Sequence, residues 1–81
     1  MKELIEKLNN EGMLWFFLGS NISSTHLISE KECESAMCVV NSIRECLDDT
    51  NLDSDTKDKV RDFLVKSEEI INQDMANYKT N

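Results

Sequence analysis

Histidine occurs once in this chain, at His26, directly after Ser23, Ser24 and Thr25. A hydroxyl nucleophile beside an imidazole base is the chemistry such a run could hold. A working pair also needs a third group to orient the base, and adjacent loop residues seldom supply that geometry. His26 therefore reads as an exposed or capping loop residue. Cys33, Cys38 and Cys46 are the other reactive candidates. Their spacings of five and eight match neither a disulfide framework nor a CxxC metal motif. Cys33 and Cys38 fall roughly 140° apart around a helix, too far round to bridge. Only Cys33 sits where a helix N-terminus could favour a thiolate, and Glu30, Glu32 and Glu34 oppose it. Cys33 and Cys46 read as small buried apolar side chains.

Asp48, Asp49, Asp53 and Asp55 suggest an acidic loop. A calcium loop needs a central glycine and a closing glutamate, and both are missing here. These acids read as caps and solvating groups at two helix ends. No Walker loop, GxGxxG or HExxH occurs, and two glycines cannot build a phosphate cradle. The expectation is a non-enzyme without metal or cofactor.

Sixteen acids against nine Lys and Arg leave the 81-residue chain at a net charge of −7. A field of that sign repels phosphate backbones and anionic lipid, so direct nucleic-acid and membrane binding are disfavoured. It favours solubility and a basic protein partner. Unpaired cysteines fit a cytoplasmic setting. The opening segment lacks the pattern of a signal peptide, and its apolar run is too short to span a bilayer. Asn21-Ile22-Ser23 matches a glycosylation sequon, which carries no meaning without secretion.

The elements that would position these residues are helical, since proline is absent and Glu, Lys, Leu and Met are frequent. Periodicity predicts a first helix over residues 2–18. Leu4, Ile5, Leu8, Trp15 and Phe16 share one stripe, with Gly12 on it. A competing reading ends the helix at Gly12 and starts a second short element at Met13; the continuous helix is preferred. Gly19 to Leu27 reads as a polar turn, with Gly19 just past a helix end. Ser29 and Glu32 form a capping box, and Ile28 against Cys33 a hydrophobic staple. Cys33, Ala36, Met37, Val40, Ile43 and Leu47 then line one face. Val39 and Cys46 lie on its shoulder, and Cys38 points away. The second helix should stop near Asp48. One of Asp53, Ser54 and Asp55 caps a third helix, whose stripe is Val60, Phe63, Leu64, Ile70, Ile71, Met75 and Tyr78, with Ser67 in its middle. Tyr78 to Asn81 should fray.

The expected fold is all-α: one domain, a small three-helix bundle of roughly 2–18, 30–48 and 55–78. The second and third helices form an antiparallel hairpin. Its core is expected to hold Leu8, Trp15, Phe16, Val40, Ile43, Leu47, Phe63, Leu64 and Ile71. Residues 13–18 are six large apolar side chains in a row between the only two glycines. One helix face cannot hide them all. Met13, Leu14 and Phe17 fall off the stripe and are expected to bind a partner, since a contiguous apolar patch marks such sites. The functional expectation is an acidic interaction module of adaptor, inhibitor, immunity or chaperone type that also self-associates. The alternatives are a bundle that sequesters a small ligand, with Ser23 to His26 as polar contacts, and an acidic mimic that occupies a nucleic-acid-binding groove.

Overall fold

The computed structural model describes residues 1–22 and 29–79. Among them the chain forms four α-helices and no strand: α1 (Lys2–Asn10), α2 (Leu14–Asn21), α3 (Glu30–Cys46) and α4 (Ser54–Lys79), with a 3-10 turn at Leu47–Asp49. The fold is all-α. The expected three helices become four because the first is broken.

The break sits at Gly12. Its φ of +73° lies in the left-handed region that glycine enters without a Cβ clash. The Gly12 N–H donates to the Asn9 carbonyl (3.1 Å), and the Met13 N–H to the Leu8 carbonyl (2.8 Å). That pair of bonds is a Schellman motif, which satisfies carbonyls that a helix end leaves open. A continuous helix over 2–18 is thereby overturned. Gly12 does not accept a close neighbour within a helix; it ends one. Gly19 is corrected in the opposite sense. It lies inside α2, which runs on until Asn21 donates its side-chain amide to the Phe17 carbonyl (2.9 Å).

α3 follows its local signals. The Glu32 N–H donates to the Ser29 hydroxyl (3.1 Å), closing the expected cap. Cys33, Ala36, Val40, Ile43 and Leu47 are buried, Met37, Val39 and Cys46 partly so, and Cys38 is exposed. Ile28, the other half of the staple, lies outside the described residues, as does His26 with its neighbouring hydroxyls. At the far end the Thr50 hydroxyl donates to the Leu47 carbonyl (2.6 Å), and α3 gives way to the turn. Asp53 is the cap of α4: its carboxylate accepts the Thr56 N–H at 3.0 Å.

Twenty-six residues at about 1.5 Å each make α4 roughly 39 Å long. It sets the long axis of a 43 × 18 × 17 Å molecule. Its deepest positions are Val60, Leu64, Ser67, Ile71 and Asp74. They step by four and three, as the buried positions of α3 step by three and four. That alternation keeps one seam facing a partner helix along its length. Phe63, Met75 and Tyr78 pack against the seam from its edges. Tyr78 still belongs to the helix, so the expected fraying does not begin there; Thr80 and Asn81 lie outside the described residues. Arg44 of α3 pairs with Glu68 of α4 (2.6 Å), and Arg61 of α4 pairs with Asp48 of the 3-10 turn.

Of the expected core, Val40, Ile43, Leu47, Leu64 and Ile71 are fully buried, while Leu8 and Phe63 are partly buried. Trp15 and Phe16 are not core. Trp15 is 46% exposed and Phe16 71%. The cause is the break at Gly12, which resets the rotational phase of everything after it. In its new phase α2 turns Leu14, Leu18 and Ile22, spaced four apart, into the interior.

Candidate interaction surface

Each residue turns α2 by about 100°, so its circumference divides cleanly. Leu14, Leu18 and Ile22 point inward. Trp15 stands at one edge of that buried face and Phe17, half-buried, at the other. Met13 and Phe16, three apart, share the outward side with Ser20. Gly19 is open as well: a Cβ built there meets nothing within 4 Å.

The expected partner residues are therefore redistributed. Met13 is exposed, at 43%. Leu14 is 2% exposed and belongs to the core instead. Phe17 is half-buried. Phe16, expected inside, is the most exposed large apolar side chain of the described chain. The surplus of apolar surface at this segment is real, but its membership is Met13, Trp15 and Phe16. No Asp, Glu, Lys or Arg occurs between Glu11 and Glu30, so the surface carries no formal charge of its own. In a chain of net −7 that is unusual.

A second surface lies on the other flank of α3 and α4. On α4, Phe63 and Val65 fall about 100° to either side of Leu64. Trp15 rests on the Phe63 side. On α3, burial raises the Cys46 thiol pKa, and the positive charge of the amino terminus partly offsets that rise. The Val65 side opens into a groove of about 190 Å³, lined by Arg44, Leu47, Asp48, Arg61, Leu64 and Val65. Its floor is aliphatic and Val65 is 51% exposed. Arg44 and Arg61 are the chain's only arginines, and both stand on this groove. Their edges are held by carboxylates: Glu68 for Arg44, Asp48 and Asp58 for Arg61.

A buried polar residue, Asp74, lies 4% exposed in the seam. Burial pushes the neighbouring Cys33 thiol up, and the charges of Asp74, Glu32 and Glu30 push it the same way. Burial also raises the Tyr78 phenol, with Asp74 the next cause. A thiol held protonated in this way is a poor nucleophile. Asp74 escaped the apolar-stripe reading because that reading scores only apolar residues. The three-four spacing from Val60 to Tyr78 passes through it and was the available signal. Among the described residues no three His, Cys, Asp or Glu side chains cluster as a metal site. No helix of these residues is long and apolar enough to cross a membrane.

No protein-family model, curated protein sequence or solved structure matches this chain.

Proposed function

We propose that this chain is a non-enzymatic protein-interaction module. In this reading α3 and α4 form an antiparallel hairpin that serves as the frame. α2 is the contact element, holding itself to that frame by Leu14, Leu18 and Ile22 and offering Phe16, Met13 and the outer part of Trp15 to another protein. The observation that carries it is the 71% exposure of Phe16 beside two further exposed large apolar side chains. Fully burying a side chain of this size contributes about 1.5–3 kcal/mol, so an isolated monomer leaves a sizeable driving force unused. Aromatic residues and methionine are also the types enriched at the centre of protein interfaces.

The acidic mimic has less support. Asp55, Asp58 and Asp62 each pair with a Lys or Arg on the next turn of α4, which breaks up a phosphate-like row. The polar contacts suggested for a sequestered ligand, Ser23 to His26, lie outside the described residues.

The test is a single substitution. Phe16→Lys removes the apolar protrusion and adds one positive charge to a chain of net −7. Loss of association therefore cannot be blamed on added repulsion between acidic chains. Wild type should sediment faster as concentration rises, or retain a partner protein, where the variant does neither. Equal behaviour of the two in both assays would overturn the reading.

A further inference from the structure

We infer that α1 is a strap: it closes against the turn between α3 and α4, and it releases at Gly12 while α2, α3 and α4 stay folded.

Its fastening is slight. α1 has nine residues, and among them only Ile5 is fully buried. Leu8 packs against the core in part, while Leu4 is exposed, as is Met1 before it. One exposed hydrogen bond adds to this: the Asn51 N–H donates to the Glu6 carboxylate at 2.7 Å. That bond sets α1 at the turn end of the α3–α4 pair. The Cys46 thiol agrees, since the amino-terminal charge that acts on it belongs to the start of α1. The other elements are held more firmly. α2 inserts Leu14, Leu18 and Ile22 and rests Trp15 on Phe63. α3 and α4 bury Val40, Ile43, Leu64 and Ile71 along the seam and add the Arg44–Glu68 pair. Elements with few buried apolar contacts open first, below the free energy of global unfolding.

Isolated helices shorter than about 12–15 residues are marginal in water, so α1 keeps its helix only while docked. Undocking and unwinding are one event. The break at Gly12 confines it. The closing bond of α1 comes from the Met13 N–H, and the first bond of α2 goes to the Met13 carbonyl, from the Phe17 N–H at 3.0 Å. The two ladders meet at Met13 and share no turn, so α1 can unwind without costing α2 a hydrogen bond. Release frees Ile5 and Leu8 and uncovers the part of the core that they fill. α1 is thus a removable cover that limits the apolar surface of the molecule, whatever α2 binds.

Amide hydrogen exchange of the full chain, read residue by residue by NMR where the rate measures the opening equilibrium, tests this. In wild type, residues 5–11 should be protected, but less than residues 17–22 of α2 and less than Ile43 or Leu64. Ile71→Val weakens the seam, which stays intact when α1 alone is released. It should speed Ile43 and Leu64 about two- to twelvefold, the range for a buried Ile→Val change, and leave residues 5–11 at wild-type rates. Ile5→Val should speed residues 5–11 by a similar factor. Dilute urea gives the same comparison without a variant: release exposes little surface, so residues 5–11 should respond to urea less steeply than Ile43. Equal acceleration of residues 5–11 and Ile43 by Ile71→Val, or equal urea slopes, would overturn the strap, because α1 would then open only with the whole. Equal protection of residues 5–11 and 17–22 would overturn release at Gly12, and unprotected residues 5–11 in wild type would mean that α1 is never closed.

Discussion

The Trp15 indole meets the Phe63 ring edge-on, with centroids 5.9 Å apart and planes at 82°. This contact fastens α2 to α4 at the rim of the core, and it leaves nearly half of the indole in water. Edge-to-face aromatic pairs couple by about 0.5–1.5 kcal/mol beyond their area burial. A double-mutant cycle on Trp15→Leu and Phe63→Leu, read by urea denaturation, should return a coupling in that range. A coupling near zero would mean that α2 is held by Leu14, Leu18 and Ile22 alone.

The two glycines should respond to alanine with opposite signs. At Gly12, a left-handed φ of +73° would force a Cβ against the following carbonyl, a cost of about 1–2 kcal/mol. At Gly19, an open helical position, alanine removes unfolded-state freedom and should stabilise by about 0.4–1 kcal/mol. Thermal denaturation of the two variants decides it. Two shifts in the same direction would contradict the break between α1 and α2.

Asp53 should make stability pH-dependent. Its carboxylate is held below the ordinary value of 3.8 by hydrogen bonds from the Thr56 side chain and then the Thr56 backbone. A pKa lower in the folded state than in the unfolded one favours folding above 3.8, and the benefit disappears as pH falls through the lowered value. Wild type should therefore exceed Asp53→Asn in Tm at neutral pH, with the gap closing in strong acid. A gap that persists unchanged in acid would exclude the charge as its source.

Charge at Asp74 should be legible at Tyr78, the only tyrosine. The carboxylate helps to keep the phenol protonated. Asp74→Asn keeps the shape and removes the charge, so tyrosinate absorbance should appear at lower pH than in wild type. The same substitution should leave the order of thiol labelling unchanged: exposed Cys38 first, partly buried Cys46 next, and fully buried Cys33 only as the protein unfolds. Fast labelling of Cys33 in the native protein would contradict its place in the seam.

Some of this architecture was written into local sequence. Ser29 caps α3 and Asp53 caps α4 because a short polar side chain satisfies backbone N–H groups within one turn, and no distant residue is needed. The inward face of α3 was equally legible, since Cys33, Ala36, Val40, Ile43 and Leu47 recur every three or four residues, with Glu34, Ser35, Asn41, Ser42, Arg44 and Glu45 on the wet side. Asp74 shows where that reading stops. It occupies a seam position that apolar counting passes over, whereas Ser67 sits within the apolar stripe, and both are buried in the folded chain.

The segment from Met13 to Leu18 is the clearest division between the two kinds of information. Its composition determined that some apolar surface would be left over, because six such side chains in succession exceed one helix face. Which of them would be left over had no local answer. A helix apolar on every side has no preferred rotation, so its phase is chosen by what it docks against. Gly12 broke the helix between α1 and α2, and the shared core then took Leu14 and Leu18 inside and left Phe16 in water. Burial is a property of the assembled surfaces, and a phase that no single turn of helix can sense was decided only when they met.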